Sequence, residues 1–141
     1  MAPDRRGKRM PMDCVFCDVL KGEEREVLTL GTVAYFPSAY AVTEGHHLVI
    51  PIRHVETFFD MSAPETEDTR AALHLLREEL MRQDKSIDGF NIGMNCGTSA
   101  GQSIFHAHTH LIPRRTGDVE NPRGGVRAVI PSRREYRETT P

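Results

Sequence analysis

Along this chain the hydrophobic positions fall into short runs divided by turn residues, with one long exception. Residues 27–30 (VLTL) and 33–36 (VAYF) are brief β-favouring runs separated by Gly31-Thr32, and glycine in the first central position suits a type II′ hairpin. Residues 47–50 (HLVI) read as a buried strand closed by Pro51. The exception opens at Ser62-Ala63-Pro64-Glu65, a capping box with proline in the first turn. Leu73, Leu76 and Leu80 then recur at helical spacing, which predicts a helix from residue 63 to about 83. A turn around Asp88-Gly89 leads to Phe90, Ile92 and Met94, which alternate as in a strand. Residues 95–101 (NCGTSAG) form a small-residue loop, and 104–112 alternates again. The order is hairpin, strand, helix, strand, loop, strand. It predicts an α+β fold, a largely antiparallel β-meander with one main helix packed on it, because strands joined by short loops cannot easily be parallel.

Composition sets the boundaries of this picture. A length of 141 residues with 38% hydrophobic content fits one globular domain with a modest core. Residues 1–12 are polar, basic and broken by proline, and read as a disordered leader; 13–113 hold the domain, and 114–141 an arginine-rich extension. No apolar run approaches the roughly 20 residues that cross a bilayer, and the N-terminus lacks the apolar stretch of a signal peptide, so a cytoplasmic protein without a membrane partner is expected. The formal net charge of −2 gives no reason to expect nucleic acid. Its distribution is uneven, however. From residue 114 onward seven arginines face four acidic residues, either as a solvated, partly paired surface or as contacts for an anionic ligand. Cys14 and Cys17 form a C-x-x-C pair and Cys96 stands alone, so no disulfide framework is indicated.

Candidate chemistry concentrates in one place. Of seven histidines, three stand at alternate positions, His106, His108 and His110. In a strand they project from one face, neighbours about 6.5–7 Å apart, with Phe105, Ala107 and Leu111 facing the core. One reading makes them metal ligands; the outer pair, about 13 Å apart, is too distant to share one ion, although two neighbours could. The other makes one imidazole a nucleophile toward phosphorus, neutral near pH 7 with an ordinary pKa of about 6.5. Asn95, Gly97, Gly101, Gln102 and Ser103 favour the second, because free backbone N–H groups with amide and hydroxyl donors beside the imidazoles suit a phosphate whose charge is being redistributed. His74 lies off the helix stripe and reads as a surface histidine.

The stretch His106-Ala107-His108-Thr109-His110-Leu111-Ile112 resembles the signature of the histidine triad (HIT) family of nucleotide hydrolases and transferases, three histidines alternating with apolar residues, with polar Thr109 a mild departure. The resemblance runs from about Cys14 to Pro113 and includes 45–51 (GHHLVIP) and 95–103. It implies a covalent nucleotidyl-histidine intermediate: His108 attacks the α-phosphorus of a dinucleoside polyphosphate or nucleoside phosphoramidate, and water then releases a nucleoside monophosphate. It further implies that His110 contacts the phosphate, that His46 supports the row from the next strand, and that Asn95, Gly101, Gln102 and Ser103 line the phosphate loop. Gln102 and Ser103 fall near the leaving group. By the same resemblance Cys14, Cys17, His54 and His106 would hold a structural zinc, and the chain would pair as a homodimer that extends its sheet. Many members carry an acidic residue for the ribose where this chain has Ser38. Residues 117–127 look like the C-terminal extension of a diadenosine-tetraphosphate-hydrolase-like prokaryotic subgroup. Two other functions stay open, a nucleotide-binding regulatory or scaffold protein with little turnover and a zinc metalloenzyme using the row directly.

Overall fold

The computed structural model describes residues 13–136. The leader, residues 1–12, lies outside them, as do the final five residues of the extension. Five strands, β1 (Leu28–Leu30), β2 (Val33–Pro37), β3 (His47–Pro51), β4 (Ile87–Gly93) and β5 (Thr109–Arg115), form one sheet in the order β1-β2-β3-β5-β4. Every neighbouring pair is antiparallel. The expected α+β sheet with one main helix is what the chain forms, and the order adds a detail. Strand β5 inserts between β3 and β4, so those two run parallel, and the helix α2 (Ala63–Gln83) carries the chain across between them.

The local chemistry explains these elements. Gly31 sits at φ 58°, as the first central residue of the β1–β2 turn requires, and Leu30 pairs with Val33 across it. The Asp68 carboxylate accepts from the Thr32 N–H and hydroxyl, fastening the turn to α2. Helix α2 begins at Ser62, whose hydroxyl accepts from the Glu65 N–H while the Glu65 carboxylate accepts from the Ser62 N–H. Two expectations shift. Asp88-Gly89 is no turn: both lie inside β4 at a register irregularity, and the turn falls earlier, where the Asp84 carboxylate accepts from the Ser86 N–H and hydroxyl. A short helix, α1 (Val15–Lys21), was not legible as periodicity because seven residues make barely two turns.

The sheet is covered on both faces. On one, Ala72, Leu76 and Leu80 of α2 pack on Val33, Tyr35, Val49 and Leu111. On the other, Cys14, Phe16 and Cys17 pack on Ala34, Phe36, Leu48 and Ile50. The alternation of β2 thus sends apolar residues both ways, and side chains such as Phe36 and Ile50 each gain about 1.5–3 kcal/mol from burial. No described helix is long and apolar enough to cross a membrane.

Candidate active site

The α1 face of the sheet carries the histidines. His110 pairs with Leu48 across the β3–β5 ladder, and His46 stands just before β3. The row itself is not one strand. Strand β5 begins at Thr109, and the chain bends over residues 104–106 before it. Ala107 donates its N–H to the Val55 carbonyl (2.7 Å) and not to a strand partner. In consequence the three rings do not share a face evenly. His108 and His110 stay together, ring centres 5.2 Å apart, while His106 lies 5.0 Å from His54. Phe105, expected in the core, is only half-buried, whereas Ala107 and Leu111 are fully enclosed.

Hydrogen-bond partners assign the tautomers. The Val42 N–H donates to His46 Nδ1 (3.0 Å), so the His46 proton sits on Nε2 and points at His110 Nδ1, 2.9 Å away. His110 Nδ1 therefore accepts, which places its own proton on Nε2. His108 Nδ1 lies 2.8 Å from the His106 carbonyl and donates to it, leaving His108 Nε2 with a lone pair. Burial lowers the pKa of all three rings. For His110 burial acts first and the neighbouring His108 and His46 rings add to it, to about 4. At pH 7 the group is thus neutral, with one free lone pair beside one free N–H.

The loop before the row is more self-contained than expected. The N–H groups of Ala100, Gly101 and Gln102 donate within the loop, and that of Gly97 donates to Gln102 Oε1 (2.7 Å). Gln102 is buried, and its Nε2 donates to the Glu56 and Ile104 carbonyls (2.6 and 3.1 Å). The expectation of free N–H groups at Gly97, Gly101 and Gln102 is therefore corrected: a three-residue 3-10 turn (Thr98–Ala100) closes the loop on itself. Gly97 and Gly101 take φ 93° and 92° to allow it. Ser103 is exposed and Asn95 half-buried at the loop's start.

His106 is oriented away from the other two. Its Nε2–H donates to the Pro51 carbonyl (2.7 Å), which leaves the Nδ1 lone pair 3.5 Å from Cys14 Sγ and 3.6 Å from Cys17 Sγ. His54 Nδ1 lies 3.3 Å from Cys17 Sγ. One ligand atom from each of Cys14, Cys17, His54 and His106 falls within 4.8 Å of all the others. Burial pushes the Cys17 thiol up to about 11, with the adjoining Cys14 next in effect. Two thiols crowded in this way, facing two imidazole nitrogens, form the donor set of a tetrahedral N/S metal centre, since a divalent cation reverses that penalty by binding thiolate.

Other residues go elsewhere. Ser38 turns its hydroxyl to accept from the Tyr40 N–H (3.3 Å). Arg115 pairs with Asp84 (2.8 Å) and donates to the Glu44 carbonyl, and Arg114 pairs with Asp118 (2.8 Å). These two arginines brace the fold. The structure also brings in residues the sequence did not single out. Phe16, between the two cysteines, sets its ring edge-on at 5.0 Å from His108. Arg53 reaches a buried Glu65, which only the recognised capping box hinted at.

Residues 22–117 match the family model of the HIT domain. The chain belongs to the HIT family. This HIT protein is 34% identical over 109 residues to an uncharacterized HIT-like protein of Methanocaldococcus jannaschii, covering 76% of this chain and 83% of that one. It is 31% identical to the adenylylsulfatase HINT3 of Arabidopsis thaliana, covering 75% of this chain and 54% of that protein. Among solved structures, a zinc-bound histidine triad family protein from Mycobacterium smegmatis superposes with a TM-score of 0.70 at 30% identity, over 77% of this chain and 80% of that one. Of the metal-type cluster, His54 and His106 lie within the matched residues and Cys14 and Cys17 just before them.

Proposed function

We propose that this HIT protein is a nucleotide hydrolase or nucleotidyl transferase acting on the α-phosphate of a dinucleoside polyphosphate or nucleoside phosphoramidate. The observation that carries the reading is the tautomer chain, in which His46 donates to His110 and His108 donates to the His106 carbonyl. It leaves a lone pair on His108 Nε2 and a proton on His110 Nε2. In the first step the His108 Nε2 electron pair forms a bond to phosphorus and the bond to the leaving oxygen or nitrogen breaks, the departing atom keeping that bond's electron pair and, where it is nitrogen, taking a proton from solvent. His110 donates a hydrogen bond to a non-bridging oxygen as negative charge grows there. In the second, water adds to phosphorus and gives up a proton to solvent, the N–P bond breaks with its electron pair returning to His108 Nε2, and a nucleoside monophosphate departs. Exposed Ser103 offers a hydroxyl on the leaving-group side, Asn95 and Gly101 frame the loop, and Gln102 holds it in shape.

Cys14, Cys17, His54 and His106 would hold a structural zinc, which supplies cross-linking and no chemistry. The donor geometry and the zinc-bound relative support this. They disfavour a metalloenzyme that uses the row directly, because His106 turns to the cysteines while His108 and His110 face one another. Homodimer formation through the β4 edge rests on the position of β4 at the end of the sheet, with Ile92 51% exposed on it.

The test is turnover of diadenosine polyphosphate, an AMP-amine phosphoramidate and adenylyl sulfate, with acid-free trapping of α-phosphorus-labelled protein. A labelled adduct lost in His108→Ala is the expected result. A protein that binds nucleotide without adduct or product would instead be a regulatory or scaffold member.

A further inference from the structure

Four consecutive residues after β3 each fasten a different part of the site. Arg53 forks onto Glu65 of α2, Nη2 to Oε1 at 2.7 Å and Nε to Oε2 at 3.3 Å. His54 faces Cys17 Sγ. The Val55 carbonyl accepts from the Ala107 N–H, between the metal-type ligand His106 and His108. The Glu56 carbonyl accepts from Gln102 Nε2 on the phosphate loop. Residues 53–56 form no part of a regular helix or strand, so their position depends on what holds them at either end. At one end is the close of β3. At the other the Arg53 guanidinium is the tie, since it also donates to the Asp60 carbonyl (3.2 Å) and so closes the following segment onto α2.

Glu65 is unusual for a capping-box carboxylate. Its side chain is 4% exposed, and it accepts from Arg53 as well as from the Ser62 N–H. A carboxylate capping an exposed helix start needs neither enclosure nor a second partner. With its carboxylate enclosed and its guanidinium 58% exposed, this forked pair is a modest source of net stability but a good source of fixed geometry, because guanidinium and carboxylate meet in one planar arrangement.

We propose that Arg53 and Glu65 are positioning residues of the catalytic and metal-type sites: their ion pair fixes residues 53–56, which in turn set His54, the His106–His108 segment and the phosphate loop relative to one another. Neither touches the reacting atoms. The proposal rests on the reading of His108 as nucleophile for its activity readout, and not for its metal readout.

The test compares full-length wild type, Arg53→Lys and the double variant Arg53→Met with Glu65→Gln. Glutamine keeps the capping-box acceptor, and the double change leaves no buried charge unpaired, so the helix start and the fold are retained. Two measurements are made well below each protein's melting temperature: competition for zinc against a chromophoric chelator, and kcat and KM on the best substrate of the panel. The double variant is expected to bind zinc about tenfold or more weakly, as loss of a residue that orients a ligand does. Its kcat should fall by about ten- to a hundredfold with KM within about twofold, because bound substrate meets a displaced nucleophile. Arg53→Lys, which keeps the charge but not the fork, should fall between. Wild-type zinc affinity and kcat in a folded double variant would overturn the proposal and reduce Glu65 to a helix cap; if that variant is unfolded by circular dichroism, Arg53→Lys with both values unchanged does the same. If wild type turns over nothing, the function reading fails alone, and zinc affinity still decides.

Discussion

His108 and His110 differ in what their protons do, and the difference predicts how unequal their loss will be. His108→Ala removes the only ring in the group with a free lone pair beside a neighbour's free N–H, so adduct and turnover should both vanish while the fold persists. His110→Ala removes a donor to growing charge, and should cost less, about 10²–10³ in kcat. Steady-state rates for the two variants check this, and a more damaging His110 change would exchange the roles. Protonation gives a second test. His46, His108 and His110 all have folded pKa values below the unfolded value of about 6.5, His110 at about 4 through burial first and its neighbours His108 and His46 next. Above pH 6.5 both folded and unfolded rings are neutral, and stability is complete. As pH falls from about 6.5 toward 4 the unfolded chain takes up protons that the folded one refuses, and stability is lost. Urea titrations across that window should show the loss, reduced in His110→Asn. A flat profile would mean that these rings are not held neutral.

At the scale of elements, α1 and the β1–β2 turn make opposite cases for what sequence reveals. The turn was legible because Gly31-Thr32 states its own geometry, and the reason it must stay glycine is now visible. A Cβ there meets the Asp68 carboxylate that holds Thr32. Gly31→Ala should therefore lower unfolding free energy by about 1–3 kcal/mol without changing kcat, measured by urea denaturation. Helix α1 has no side-chain cap and too few turns for a pattern, and only the C-x-x-C spacing marked its place. The zinc-type cluster was readable through resemblance, residue for residue, yet nothing in the sequence could show that His106 turns from His108 to reach it. That turn depends on the bend at 104–106 and on the Val55 carbonyl, a contact 52 positions away from Ala107 in the chain. The loop misled for a related reason. Glycines announced mobility of backbone direction, but whether their N–H groups were free depended on Gln102 reaching back to Gly97. Cys14→Ser or Cys17→Ser should lower the melting temperature more than turnover per folded molecule, with zinc lost in parallel by elemental analysis. Full stability in a zinc-free variant would remove the metal from the account.

For the whole molecule, the sheet's two ends are unlike. β1 has three residues and is too short to recruit a partner, whereas β4 has seven and carries exposed Ile92. Light scattering should give twice the chain mass, falling to one in Ile92→Lys; a monomeric wild type would sink the pairing. The arginine-rich extension left a paired surface and an anionic-ligand contact both open, and its first two arginines take the paired arrangement, Arg114 with Asp118 and Arg115 with Asp84.

The unequal covering of the two faces has one more consequence. A helix of 21 residues guards one side, and a helix of seven, packed on the sheet through Phe16 and Cys17, guards the side that holds the histidines. The two coats need not come off together. Amide exchange should reveal separate opening units, with α1 and residues 104–108 trading hydrogen for deuterium long before Leu76 and Leu80 do, and zinc slowing only the first group. Catalytic competence would then be a property of the lesser unit, lost and regained many times within the life of one folded chain.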